Sequence, residues 1–287
     1  MASAPFGVLL PAVSRLSFLP GLTAALLLSV PYSALADDDE ADAGWIPARY
    51  SSRPLTLVDG LFRLDFSAGG GTIDRRDVAV ELLAGAGYGV SDDFEIGLTI
   101  VNVVVSPSEE SGLDTPFGYL RYRWANLGVL QSAVEAGGDI PVGGEFGFFG
   151  ALPTLVAVAG FRLDLRPEIF AMQDPDWQTG WRTDGRLSVQ IVDAFRLFAG
   201  TRISEDFSGA FEPLAQPLGG AVITLGNRRQ PMGDLEIEVR GPAFRLTGDS
   251  PIARTIETDW FVFAAYRPFI RPPASGRTDP FEDPEGW

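Results

Sequence analysis

Cysteine, histidine and lysine are all absent from this chain of 287 residues. Without cysteine there are no disulfides, zinc-thiolate sites or thiol nucleophiles, and the lack fits passage through an oxidising periplasm. Without histidine there is no Ser-His or Cys-His couple and no imidazole ligand for a metal. Most hydrolase mechanisms are thereby excluded, and we expect no enzyme activity, no catalytic residue, no metal site and no cofactor. Positive charge is scarce as well: arginine alone supplies the 22 cations, against 38 acidic residues and a net charge of -16. That sign argues against nucleic acid as a partner, since phosphate binding needs a cationic surface. The mature part of the chain also lacks any helical period of useful length.

What the chain has is alternation. From Asp77 to Val105, Val78, Val80, Leu82, Ala84, Ala86 and Tyr88 fall on one face, with Glu81, Leu83, Gly85 and Gly87 on the other. After the polar turn Gly89–Asp93 the pattern repeats, Phe94, Ile96, Leu98, Ile100 and Val104 against Glu95, Gly97 and Thr99. A period of two on each side of a short turn predicts a β-hairpin. Its strands are about ten residues long, the length a tilted transmembrane β-strand needs. An apolar face opposite a small or charged one suits lipid outside and water inside. A half-buried pair in a soluble β-sandwich alternates in the same way, so the rest of the chain has to decide.

Similar segments recur at 61–68, 117–124, 131–142, 152–159, 162–169, 184–191, 195–204, 218–225, 232–240 and 257–269, giving about twelve strands. Longer connections are expected at 69–76, 106–115, 173–181, 205–217 and 241–256, alternating with short turns, as extracellular loops alternate with periplasmic turns in outer-membrane barrels. Aromatics near strand ends (Tyr88, Trp124, Trp181, Trp260, Tyr266) suit interfacial girdles. The Gly-rich stretch 142–150, with Phe146, Phe148 and Phe149, is expected to be a loop folded either inward as a plug or outward as a contact surface.

The inner face carries the charge. Arg63, Arg121, Arg123, Arg162, Arg166, Arg186, Arg196, Arg202 and Arg240 are expected to line the lumen. They share it with Asp65, Glu81, Glu95, Glu135, Asp139, Asp164, Glu168, Asp184, Glu236 and Glu238. Rings of charge select permeating ions or bind a polar solute. The same residues would equally serve as a salt-bridge network that fills a narrow barrel.

Residues 1–36 read as a cleaved secretory signal: Arg15, an apolar run to Val30, and the small-residue site Ala34-Leu35-Ala36 before Asp37. Residues 37–59 read as a periplasmic lead-in, 60–269 as an all-β, closed antiparallel transmembrane β-barrel, and 270–287 as a Pro-rich tail.

Arg53-Pro54-Leu55-Thr56-Leu57 followed by Gly60, together with Tyr88 to Gly97 at the first turn, resembles the broad group of Gram-negative outer-membrane barrels assigned to transport. That group includes the family named for a phenol-degradation pathway. The resemblance implies an outer-membrane location, contact with outer-membrane lipid, and recognition of a terminal aromatic by the barrel-assembly machinery; Phe269 and Trp287 are the candidates. The expected function is a channel or transporter for small solutes or ions. A closed structural barrel presenting its loops, and a soluble secreted β-sandwich, are the alternatives.

Overall fold

A computed structural model of the chain describes residues 52–73, 77–105, 112–113, 116–139, 146–174, 176–207, 213–226, 231–245 and 258–271. The expected signal at 1–36, residues 37–51 of the lead-in, and the tail beyond Arg271 lie outside the described residues. The strands are β1 (Phe62–Ile73), β2 (Asp77–Ser91), β3 (Phe94–Val105), β4 (Gly112–Leu113), β5 (Phe117–Asn126), β6 (Leu130–Asp139), β7 (Phe146–Ala151) and β8 (Thr154–Val158). They continue with β9 (Phe161–Asp174), β10 (Asp176–Val192), β11 (Phe195–Asp206), β12 (Leu214–Gly226), β13 (Pro231–Arg240), β14 (Phe244–Arg245) and β15 (Thr258–Ile270).

Every ladder is antiparallel and the sheet returns on itself: β15 pairs with β1 and β13, and β10 with β9 and β11. β7 and β8 share one place in the wall, each pairing with β6 and with β9. β4 and β14 are short pieces on β3 and β12. The wall is therefore a closed twelve-stranded barrel, which leaves its main strands without a free edge among the described residues.

Burial is inverted relative to a soluble protein. Leu120, Ile169 and Ile237 are 54%, 62% and 52% exposed on the outer face, whereas Glu95, Glu135, Arg162 and Glu236 are buried within the barrel. A soluble sandwich would bury the apolar face and solvate the charged one. A continuous apolar exterior around a charged interior is the arrangement that lipid requires.

Several connections differ from expectation. The segment 69–76 is strand up to Ile73, and in 173–181 β9 runs to Asp174 and β10 begins at Asp176. Gly69 reads as a loop residue, yet a Cβ there would lie 2.1 Å from the Phe263 ring, so the glycine makes room for an aromatic inside the barrel. Gly97 under Tyr119 and Gly137 under Phe149 repeat the device, at 2.1 and 2.6 Å. At 173–181 the strands run well past the length a bilayer needs, so the polar residues there carry no membrane pattern.

The stretch 142–150 is neither plug nor contact loop over its described residues, because Phe146–Ala151 is β7 in the wall. Phe146 and Phe148 are exposed outside, and Phe149 lies edge-on to Phe117, 6.3 Å between ring centroids. The strand expected over 152–159 is thus only the second half of a strand interrupted at Leu152-Pro153, where proline removes a ladder donor. On β3 an extra residue shifts the register between Ala84 and Gly85 of β2. The alternation read from Phe94 therefore does not run unbroken to Val104, whose register partner is Glu81.

The largest departure precedes β1. The described part of the expected periplasmic lead-in does not hang outside the barrel: Arg53, Thr56 and Leu57 are almost fully buried. Leu57 packs with Leu61 and Phe269 in an apolar cluster flanked by Val58. The chain then leaves through hydrogen bonds of Gly60 and Leu61 with Gly89, at 2.8 and 3.0 Å, and becomes β1.

Candidate functional site

Inward positions of consecutive strands face one another across hydrogen-bonded pairs, so one charged residue per strand at matching height builds a ring. β9 brings Glu168, which binds Arg182 of β10 and Arg166 of its own strand. Arg166 reaches Glu135 of β6 at 2.6 Å, and Glu135 holds Arg121 of β5 at 2.6 Å. Arg121 continues to Glu95 of β3 at 3.4 Å, and Glu95 faces Arg63 of β1 at 3.8 Å. Arg63 binds Asp65 at 3.1 Å, Asp65 binds Arg267 of β15 at 3.3 Å, and Arg267 binds Glu236 of β13 at 2.6 Å. Glu236 meets Arg186 of β10 at 3.1 Å; Arg186 also binds Glu238, which Arg240 holds at 2.6 Å. Because Arg182 and Arg186 lie on one strand, the contacts form a girdle around the lumen. The Arg186 link spans from β10 to β13, past β11 and β12.

Aromatic rings fix several guanidinium planes. Arg186 lies over Phe198 at 4.2 Å, Arg240 over Phe263 at 4.0 Å and Arg166 over Phe149 at 5.3 Å. A planar cation over a ring face gains about 0.5–1 kcal/mol or more when desolvated. Tyr119 donates its hydroxyl to Glu95 at 2.6 Å, so the carboxylate accepts from a phenol as well as from arginine.

Below the girdle, residues 53–57 cross the lumen and are held by it on several sides. The Arg53 side chain binds Asp234 of β13, donates to Thr224 of β12 at 3.0 Å, and lies over the Phe269 ring at 5.3 Å. Its carbonyl accepts from Arg162 of β9 at 2.8 Å. Leu55 donates its amide to Gln131 of β6 at 2.8 Å and accepts from Arg121 at 3.3 Å. Leu57 donates to Glu95 at 2.9 Å, and Thr56 and Asp59 tie to Asp92 in the β2–β3 turn at 2.6 and 3.0 Å. A backbone inside a barrel must find partners for its own amides. Here the lumen's polar side chains, Gln131 and Glu95, supply them for Leu55 and Leu57, so girdle and crossing segment form one network.

Of the residues expected on the inner face, Arg63, Asp65, Glu95, Arg121, Glu135, Arg166, Glu168, Arg186, Glu236, Glu238 and Arg240 are brought together in the girdle. Arg162 pairs with Asp164 at 2.7 Å and also holds the crossing segment through the Arg53 carbonyl, and Arg202 pairs with Asp184 at 2.6 Å. Arg123 sits at the rim and binds Asp93 of the β2–β3 turn at 2.7 Å. Arg196 is buried on β11, Asp139 lies over Gly147, and the half-buried Glu81 stands apart from the girdle.

Sequence reasoning missed Arg53, Gln131, Arg182 and Arg267 as lumen residues. Arg267 had a signal, since Phe263, Ala265, Arg267 and Phe269 share one parity on β15. Arg53 had none from periodicity, because it lies outside any strand. Between the crossing segment and the girdle lies a cavity of about 330 Å³.

No family model matches the chain, and no curated protein does. Among solved structures, an outer-membrane channel from Pseudomonas putida F1 superposes with a TM-score of 0.55 at 10% identity, over 80% of this chain and 100% of that one. The CymD monoaromatic hydrocarbon channel gives 0.45 at 7% identity, over 75% and 90%. The β domain of a Bordetella autotransporter, BrkA, gives 0.44 at 15%, over 73% and 99%. At these identities the likeness is one of fold, and the first superposition carries it: the chain has the fold of outer-membrane β-barrels.

Proposed function

We propose that this protein is a channel of the Gram-negative outer membrane that passes small solutes through its charged lumen, with residues 53–57 restricting the passage from the periplasmic end. One observation carries the reading: the segment before β1 is folded into the lumen on polar tethers, beneath a cavity large enough for a solute. A barrel filled only for stability has no need of a separate segment drawn across its floor. The neutral hydrogen bonds of the segment are each worth about 0.5–1.5 kcal/mol net, because water replaces a broken partner, whereas the buried Arg53–Asp234 pair and the Leu57 cluster are its firmer anchors. With neither histidine nor cysteine in the chain, passage rather than chemistry is the role the lumen suits.

The girdle also supports a second reading. A paired network of this density is what a closed structural barrel would use to fill its interior, since buried charges persist only when partnered. Swelling of proteoliposomes separates the two. Wild type should admit small solutes slowly, and Arg53→Ala combined with Thr56→Ala, which cuts the crossing segment from Asp234 and from the Asp92 turn, should admit them faster. Liposomes that stay impermeable with both proteins support the structural barrel instead.

A further inference from the structure

We infer that the cavity above the crossing segment is a binding site for a small organic anion, an oxyanion head carried on a short apolar body. The inference deepens the channel reading by naming the class of solute, and it stands on three features of the cavity.

The sign of the lining comes first. Among the described residues, eight arginines line the cavity against five carboxylates, in a chain whose net charge is -16. The excess has a structural cause. Asp65, Glu135, Glu168 and Glu238 bind Arg63, Arg121, Arg166, Arg186 and Arg267 without themselves lining the cavity. Carboxylates set behind and guanidinium groups set in front present N–H donors to whatever enters. Arginine's planar fork matches a carboxylate or other oxyanion with two parallel hydrogen bonds.

The second feature is the floor. Pro54, Leu55 and Leu57 of the crossing segment, with Pro153 and Phe269, supply apolar surface on one side of the same space. A purely inorganic anion would leave that surface uncovered, whereas a short hydrocarbon body covers it. Size is the third: about 330 Å³ lies at the small end of ligand pockets.

Calorimetric titration of the purified full-length protein in detergent tests the site with three probes that share a tail and differ in charge: pentanoate, 1-pentanol and pentylammonium. Pentanoate should bind saturably, one per barrel, and the other two should not. Arg186→Gln removes a lining cation while leaving Glu236 with Arg267 and Glu238 with Arg240. Arg63→Gln does the same on another wall, leaving Asp65 with Arg267 and Glu95 with Arg121. Each should weaken pentanoate about tenfold or more, the worth of one charged hydrogen bond. Arg123→Gln removes the same charge from a side chain that binds Asp93 of the β2–β3 turn and does not line the cavity, so no donor to the ligand is lost and the effect should stay well below that of either lining substitution. Absence of pentanoate binding, equal binding of pentanol or pentylammonium, or equal loss with Arg123→Gln overturns the site. If pentanoate binds as stated while the protein passes no solute through liposomes, the channel reading fails and the site stands.

Discussion

Replacing Glu95 with glutamine removes one charge at the point where the girdle meets the crossing segment, and its cost follows from the contacts. Glu95 is fully buried. It accepts from the Tyr119 hydroxyl at 2.6 Å and the Leu57 amide at 2.9 Å, binds Arg121 at 3.4 Å and faces Arg63 at 3.8 Å. Breaking a buried ion pair costs about 3–5 kcal/mol when the partner charge is left alone. Here neither arginine is left alone, because Arg121 keeps Glu135 and Arg63 keeps Asp65. Glutamine also preserves the shape and one acceptor oxygen. The loss should therefore fall to that of one or two charge-assisted hydrogen bonds, about 2–3 kcal/mol. Asp184→Asn is the matched control, since the Asp184–Arg202 couple is about a third exposed on both sides and should be worth under about 1 kcal/mol. Urea unfolding in lipid vesicles, followed by tryptophan fluorescence and by the migration shift of unheated samples in gels, measures both. If Glu95→Gln costs no more than Asp184→Asn, the carboxylate is not the hub that the contacts make it.

Three further outcomes are expected. Gly97→Val should destabilise by about 1–3 kcal/mol, as overpacking does, because the new Cβ falls 2.1 Å from the Tyr119 ring; wild-type stability would show that the ring moves aside freely. A cysteine at Thr179 should react with an impermeant maleimide on intact cells and one at Ser91 should not; the reverse pattern inverts the orientation of the barrel. Glu236→Ser with Glu238→Ser should raise anion preference and Arg121→Ser with Arg123→Ser should lower it, read as reversal potentials of opposite sign in a salt gradient; shifts of the same sign contradict a charge-lined path.

The strands of the wall were legible because lipid and lumen demand opposite side chains at every second position. Val78 to Tyr88 and Phe117 to Trp124 show that demand directly, and on β5 the exposed Leu120, Tyr122 and Trp124 alternate with the more buried Tyr119, Arg121 and Arg123. Alternation failed where another constraint replaced it. At Gly69–Gly71 the inner position is occupied by rings from β15, so the residue that serves the strand is the one with no side chain. At 173–181 the strands continue beyond the depth at which lipid imposes a pattern. On β3 one extra residue breaks the parity that a straight reading assumes.

The site was legible in composition and not in connectivity. Parity placed Arg121 and Glu135 on facing strands. It could not show that Arg186 reaches across to Glu238, because that contact depends on how the barrel closes. The crossing segment was the least visible. Arg53 to Leu57 has no periodicity, two prolines nearby and a composition ordinary for a linker. Its burial comes from tethers to residues as distant in sequence as Asp234.

The claim that residues 53–57 govern passage through the lumen is tested most directly by pinning them. The chain has no cysteine, so Leu55→Cys with Gln131→Cys, at neighbouring positions where the Leu55 amide donates to the Gln131 side chain at 2.8 Å, provides the only thiol pair. A short reducible cross-linker joins it in the folded protein. Single-channel recording in planar bilayers should then show low conductance for the cross-linked protein and a rise in conductance or open probability when reductant is added to the same membrane. Conductance that is unchanged by reduction, in a protein shown to be cross-linked, contradicts the account.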